Sequence, residues 1–143
     1  MTTRRISVPP TAGLALRCAD LRPWGDKHLD RALAAWLEVD ELLLECSGTS
    51  ALMLALRTLQ QLAPERCEVV VPAYTCPLVA MAVAQCGLQL RLCDLSPDRL
   101  DMDGQALDAV LSHRTLAVVP THLGGRVADV ASLLPRAQAC GAY

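Results

Sequence analysis

The residues of this sequence best suited to binding chemistry form the short turn Ser47-Gly48-Thr49-Ser50. An apolar run precedes the turn and apolar residues at helical spacing follow it, so it lies between a predicted strand and a predicted helix. The first N–H groups of a helix lack intrahelical partners and carry partial positive charge, which favours an anion. Gly48 lets a ligand approach the backbone closely, and Thr49 and Ser50 add hydroxyl donors. These properties predict a phosphate-binding turn.

The same turn has a simpler interpretation, in which a serine or threonine caps the helix and the glycine serves only the turn. Two better-known phosphate loops are excluded. No Gly-Lys-Ser/Thr follows, as a Walker loop requires, and the second and third glycines of a dinucleotide-binding fingerprint are missing. From the residues alone, the phosphate site and the plain helix cap both stay open.

Two further side chains are candidates for site chemistry. Cys76 stands directly before Pro77, where a helix is predicted to begin, and is either a reactive thiol or a small packed residue. His122 follows a strand predicted to end at Pro120. Its ring either contacts a cofactor or substrate or hydrogen-bonds to nearby backbone.

No metal site is predicted. The seven cysteines include no Cys-x-x-Cys pair and no Cys/His group with zinc-finger spacing. An aspartate-rich stretch before Gly104 suggests a calcium loop, but with Gly104 as its sixth position, Arg99 and Val110 stand where acidic ligands are required. These aspartates are instead predicted to be turn and helix N-cap residues.

The elements that must position these residues alternate between strand and helix. Strands are predicted at 42–46, 68–71, 88–92 and 115–120, and helices at 51–62, 77–86, 105–112 and 127–140, with Gly87 and Gly141 ending two of the helices. Ala142-Tyr143 is predicted to begin another strand, so the chain is expected to be a piece of something longer. The pattern predicts an α/β fold with a mainly parallel sheet. Residues 1–40 are predicted to form an arm with an amphipathic helix over 26–38, separate from 41–143.

Composition narrows the class of protein. The 143 residues are 52% hydrophobic with a formal net charge of -2, enough apolar content for a core and no excess of basic residues. A nucleic-acid or membrane-surface protein is therefore not expected. Polar residues and prolines interrupt the apolar stretches well short of a membrane span. The odd number of scattered cysteines indicates reduced thiols and a cytoplasmic location.

Four motifs appear in order along the chain. They are Ser-Gly-Thr-Ser-Ala-Leu at 47–52, Val-Val-Val-Pro-Ala-Tyr-Thr at 69–75, Cys-Asp-Leu-Ser-Pro-Asp at 93–98 and Arg-Thr-Leu-Ala-Val-Val-Pro-Thr-His-Leu-Gly-Gly at 114–125. In this order and spacing they resemble the DegT/DnrJ/StrS group of sugar aminotransferases. The resemblance runs from about Glu45 to Tyr143, and residues 1–40 lack the family's glycine-containing approach to the first strand.

The resemblance implies the N-terminal part of the large domain of a fold-type-I pyridoxal 5'-phosphate (PLP) enzyme. Such a domain is a three-layer αβα arrangement, and the enzyme is usually a homodimer with its sites at the subunit interface. Gly48 and Thr49 match the positions that hold the cofactor phosphate, with Ser50 beside them. Cys76 stands at the usual position of an aromatic ring that stacks on the pyridine, so either Tyr74 substitutes or stacking is lost.

The resemblance also places His122 at the family's histidine near the site, with Gly124 where a tyrosine is common. The acid that pairs with the pyridine nitrogen would lie on the strand beginning at Tyr143, and the lysine that carries the cofactor would come later. Lys27 is the only lysine and precedes the alternating unit. No catalytic residue is therefore expected within this chain.

The predicted function of the parent protein is PLP-dependent amino transfer to a keto-sugar nucleotide, with an amino acid as amino donor. The chain itself would supply part of the phosphate cradle and no covalent catalysis. Three alternatives stay open. The parent is a PLP enzyme of another reaction type, such as a sugar dehydratase, a catalytically silent relative that binds a sugar nucleotide or a partner, or an unrelated α/β binding module.

Overall fold

The computed structural model describes Cys18 and residues 28–143, which divide into two units between Leu44 and Glu45. The first unit contains helix α1 (Leu29–Leu37), and none of the residues of this helix is buried. Its most exposed large apolar side chain is Trp36, at 77%. The helix ends at Glu38, whose φ of 55° is left-handed. The predicted helix is thus present with shorter bounds, and its predicted start at residue 26, like the irregular segment 1–23, lies outside the described residues.

The second unit is an α/β layer structure, as predicted. Its elements in chain order are α2 (Gly48–Leu62), β1 (Glu68–Pro72), α3 (Pro77–Gln85), β2 (Gln89–Cys93), α4 (Gly104–Val110), β3 (Thr115–Val118) and α5 (Val130–Ala139). The three strands form a parallel sheet in the order β2-β1-β3. In the register of the sheet, Val70 of β1 is opposite Arg91 of β2 and Val118 of β3.

The central position of β1 explains its uninterrupted valines. Val69 and Val71 contribute to the core under α2 and α3, together with Leu56, Val83 and Leu116. Val70 points to the opposite face because side chains alternate along a strand. There it joins a second core that contains Cys93, Met102, Leu107 and Leu133. Helices thus cover both faces of the sheet, and a strand buried on both faces needs apolar residues at every position.

Local capping sets the helix boundaries. Asp103 begins α4, where its Oδ1 accepts from the N–H groups of Gln105 and Ala106, both at 2.9 Å. This confirms the predicted N-cap role for Asp103, the last aspartate of the aspartate-rich stretch. Asp129 likewise begins α5 by accepting from the Ser132 N–H at 3.2 Å. The helix therefore starts at Val130, three residues later than the predicted 127.

Gly87 and Gly141 follow the ends of α3 and α5, as predicted, with φ values of 70° and 75°. At Gly141 the N–H donates to Gln138 O, and the next residue, Ala142, donates to Ala137 O. This pattern ends a helix with a left-handed residue, which glycine adopts without a steric penalty. Tyr143 then meets β3: its N–H donates to Leu116 O and its carbonyl accepts from Val118 N–H, both at 2.9 Å. This is the alternating pattern of a parallel pair, in agreement with the predicted new strand.

The predicted strand 42–46 is wrong. Those residues belong to no strand of the described structure, and Leu43 and Leu44 are 71% and 47% exposed. An apolar run becomes a strand only when a neighbouring backbone bonds to it, and the sheet described here pairs β1 with β2 and β3 alone. Within the described residues, no helix has both the length and the apolar character needed to cross a membrane.

Candidate functional site

The start of α2 is held by its serine cap. Ser47 Oγ accepts from the Ser50 N–H at 3.1 Å, and the Ser47 carbonyl accepts from the Ala51 N–H at 3.0 Å. Serine is a favoured N-cap residue because its hydroxyl satisfies a helix N–H that has no partner in the helix. The capping interpretation of this turn is therefore confirmed. It leaves the question of a ligand to the groups that the cap does not use.

Two backbone donors and one hydroxyl remain free at this turn. In the described chain, the N–H groups of Gly48 and Thr49 and the Thr49 hydroxyl have no hydrogen-bond partner. A Cβ atom built on Gly48 would meet no atom within 4 Å, so the space beside the backbone is open. Ser50 differs, because its hydroxyl lies 3.0 Å from Ser47 Oγ and 3.5 Å from Cys46 Sγ. The groups available to an anion are therefore those of Gly48 and Thr49.

These free groups border an open groove of about 400 Å³ between the starts of α2 and α3. The lining residues are Ser47, Gly48, Thr49, Leu52, Cys76, Leu78 and Val79, none of which is charged. Cys76 is the N-cap residue of α3, its side chain makes no capping hydrogen bond, and it is exposed. The alternative of a small packed residue at Cys76 is therefore wrong. Pro77 at the first position of α3 fixes where this helix begins.

A second groove, of about 430 Å³, lies beside the first. It is lined by Tyr74, Thr75, Cys76, Pro77 and Leu123. Tyr74 is 64% exposed, so its side chain is accessible to a ligand. Cys76 lines both grooves, so they meet at this residue. The structure thus brings Gly48, Thr49 and Cys76 to one groove and Tyr74 and Cys76 to the other.

His122 lies at the carboxyl end of β3 and is exposed. Its Nδ1 accepts a hydrogen bond of 2.9 Å from the Ala128 N–H. A backbone N–H can only donate, so Nδ1 carries no proton and the neutral ring presents Nε2–H as a donor. The backbone-bonding interpretation is confirmed for Nδ1, whereas Nε2 remains available. His122 lines neither groove, although the next residue, Leu123, does.

Sequence reasoning missed one pair of residues at this edge. The Oγ1 atoms of Thr75 and Thr121 lie 2.8 Å apart and join the loops that follow β1 and β3. A signal was present, since each threonine stands beside a candidate residue and follows a strand. It could not be used, because only the β2-β1-β3 order shows that these two strands are neighbours.

The ionisable groups with clearly shifted pKa values lie outside both grooves. Burial, followed by the nearby carboxylates of Asp103 and Asp94, raises the pKa of the Cys93 thiol to about 11. Hydrogen bonding to the Cys67 sulfur raises the pKa of Arg114, and the Glu68 carboxylate adds to this effect. Within the described residues, no cluster of histidine, cysteine or acidic side chains is arranged to hold a metal ion.

The model of the DegT/DnrJ/EryC1/StrS aminotransferase family matches residues 25–143 of this sequence. The chain belongs to this family. The motifs alone indicated a resemblance from about Glu45 onward, and the family match begins about twenty residues earlier. Part of the segment 1–40, which lacks the family's motifs, is therefore included in the match.

Named relatives agree with the family assignment. The chain is 33% identical over 107 residues to GDP-perosamine synthase of Caulobacter vibrioides, covering 75% of this chain and 28% of that protein. It is 38% identical over 95 residues to UDP-N-acetyl-3-dehydro-alpha-D-glucosamine 3-aminotransferase of Acidithiobacillus ferrooxidans, covering 66% and 25%. Among solved structures, the PLP form of Spr1654 from Streptococcus pneumoniae aligns with a TM-score of 0.68 at 28% identity, covering 75% and 27%. The chain thus spans about a quarter of the length of the relatives it matches.

Proposed function

We propose that this chain forms part of a PLP-dependent aminotransferase that acts on a keto-sugar nucleotide and takes its amino group from an amino acid. One observation carries the proposal. In a chain of this family, the unpaired donors of Gly48 and Thr49 face an open groove at the start of the 15-residue helix α2. The names of two relatives, a GDP-sugar synthase and a UDP-sugar aminotransferase, favour a nucleotide-linked sugar.

The groups at this groove fit the phosphate of PLP. Phosphate oxygens are acceptors, and the turn offers two N–H donors, the Thr49 hydroxyl and the positive end of a helix dipole. Gly48 leaves room for close approach. Tyr74 and Cys76, on the loop after β1, would lie beside the cofactor ring, and His122 would donate from Nε2. When bound, PLP supplies an electron sink for amino transfer.

The covalent part of the reaction requires a lysine that carries the cofactor. Lys27 is the only lysine of this sequence and lies outside the described residues. The proposal therefore assigns binding and positioning to this chain, and the covalent step to residues beyond the site described here. A homodimer, which rests on the family resemblance, and a cytoplasmic location, which rests on the scattered cysteines, remain parts of the proposal.

A second candidate is a catalytically silent relative that binds a sugar nucleotide or a protein partner. The observation that favours it is Cys76, which lines both grooves and puts a thiol at the family's aromatic position. An assay for amino transfer from an amino acid to keto-sugar nucleotides distinguishes the two candidates. PLP binding with no amination of any nucleotide-linked keto-sugar tested would favour the silent relative.

The test of the phosphate site is Thr49→Val in the full-length protein. Valine keeps the β-branched shape and removes the hydroxyl. A hydrogen bond to a charged group is worth roughly 1.5–3 kcal/mol, so the Kd for PLP should rise by about ten- to a hundredfold. The measurement is PLP binding followed by absorbance or fluorescence, with the melting temperature recorded on the same sample.

Thr58→Val is the matched control. Thr58 lies on the same helix and is exposed, and its hydroxyl donates to Leu54 O at 2.9 Å. The Thr58 variant therefore also loses one threonine hydroxyl, but at a residue that does not line the groove. The control should leave the Kd for PLP unchanged. If Thr49→Val lowers the melting temperature and leaves PLP affinity intact, the turn is only a helix start and the proposed phosphate site is wrong.

A further inference from the structure

A single hydrogen bond connects the loop after β1 with the loop after β3. Thr75 Oγ1 and Thr121 Oγ1 lie 2.8 Å apart, at the usual distance of a bond between two hydroxyl groups, and both residues are half-buried. The backbone ladder between the strands ends earlier, with the bond from Val119 N–H to Val70 O. In the described chain, no other hydrogen bond joins residues 73–79 to residues 120–128.

The bond stands among the residues of the proposed site. Thr75 lies between Tyr74 and Cys76, and Thr121 directly precedes His122. These neighbours have few contacts of their own, since Tyr74 is 64% exposed and the Cys76 side chain makes no capping bond. Within the described chain, the threonine pair is therefore the one hydrogen-bonded link between the two loops.

Threonine suits such a role better than a longer polar residue. Its β-branched side chain has restricted χ1 freedom, so the hydroxyl stays in place without a large entropy loss. Either hydroxyl can donate while the other accepts, and the bond survives an exchange of these roles. A rigid pair of this kind can keep two segments of a ligand site in register.

We propose that Thr75 and Thr121 are positioning residues, whose mutual hydrogen bond holds the Tyr74–Cys76 loop and the His122 loop in the arrangement that binds the cofactor and substrate. This inference rests on the proposed function and adds two residues to its site. Neither threonine is assigned a contact with the cofactor.

The test uses Thr75→Val, Thr121→Val and the double variant in the full-length protein, with Thr75→Ser and Thr121→Ser as conservative variants. Each valine variant should raise the Kd for PLP by about three- to tenfold, the effect expected for one ordinary hydrogen bond. The double variant should be no worse than either single variant, because both changes remove the same bond. The serine variants keep the hydroxyl and should bind PLP nearly as the wild type does.

Hydrogen exchange followed by mass spectrometry gives a second readout, in protein without cofactor. Thr75→Val should raise exchange in residues 120–128, and Thr121→Val should raise it in residues 73–79. The Thr58→Val control should change neither segment. This reciprocal effect is expected of a link between two loops and not of a general loss of stability.

The outcomes separate this inference from the proposed function. Wild-type protein that binds no PLP would refute the proposed function, and the exchange arm would still decide whether the bond joins the loops. Three results would each overturn the positioning role. They are additive effects of the two valine changes on the Kd for PLP, serine variants that bind PLP no better than the valine variants, and hydrogen exchange that rises only beside the substituted residue.

Discussion

The two ends of the parallel strands differ in how their polar groups are bonded. At the N-terminal edge, Glu68 is 6% exposed and its Oε2 accepts from Ser112 Oγ at 2.7 Å. Arg114 donates to Cys67 Sγ at 3.0 Å and to Gln89 Oε1 at 3.2 Å. At the carboxyl edge, by contrast, the Thr49 hydroxyl and the N–H groups of Gly48 and Thr49 have no partner within the described chain, and two grooves open.

Arg66 makes the contrast stronger. Its Nη1 donates to Thr115 O at 2.7 Å and to Cys140 O at 2.9 Å, so one side chain joins the start of β3 to the end of α5. Buried polar groups stabilise a fold only when their hydrogen bonds are made, whereas a binding site must keep some groups unpaired. We therefore expect substitutions at the N-terminal edge to change stability and those at the carboxyl edge to change ligand binding.

The largest effect is expected from Arg66→Ala. The change leaves two carbonyl groups without their donor in a half-buried position, which should lower the free energy of unfolding by about 3 kcal/mol. Urea denaturation measures the loss. The Kd for PLP of the remaining folded protein should not change.

Arg57→Ala is the control, since Arg57 is an exposed arginine on α2. It should alter the free energy of unfolding by less than about 0.5 kcal/mol. Weaker PLP binding by the folded Arg66 variant would show that the two edges of the sheet are coupled, contrary to the comparison.

The next effect concerns Cys93, the last residue of β2, which is fully buried. The Cys93 pKa of about 11 stands above the ordinary value of 9.0, mainly because of burial. Below pH 9 the thiol is neutral in both states. Between pH 9 and 11 only the unfolded thiol ionises, so stability should fall as pH rises, by about 2 kcal/mol in total.

Comparison with Cys93→Ala isolates this contribution, because other groups also titrate in the same range. The variant should be less stable at pH 8 through the cavity it creates, but its stability should decline less steeply between pH 9 and 11. Parallel declines for the two proteins would show that burial does not raise the pKa of the Cys93 thiol.

The smallest effect is expected from Gly48→Ala. A methyl group at this position meets no atom within 4 Å, so the melting temperature should stay the same or rise slightly. The methyl would occupy space beside the free N–H groups and should raise the Kd for PLP by about five- to tenfold, or roughly 1 kcal/mol. Unchanged PLP affinity in a fully stable variant would place the phosphate elsewhere.

Much of the fold could be predicted from the sequence because the responsible interactions are local. The apolar valines of β1, the caps at Ser47 and Asp103, and the glycines that end α3 and α5 act within a few residues of the chain. The four motifs likewise placed Gly48 and Thr49 at a turn whose donors proved to be free. The sequence by itself determined the class of fold, the family and the turn on which the proposed site is built.

Only the tertiary structure decided which groups meet. The apolar run at 42–46 is not a strand, since strand formation requires a backbone partner that no local pattern can supply. His122 has its Nδ1 occupied by a backbone N–H six residues later, and Thr75 finds Thr121 46 residues away because β1 and β3 are neighbours in the sheet. Side-chain periodicity records which face of an element is buried, but not which other element lies against it.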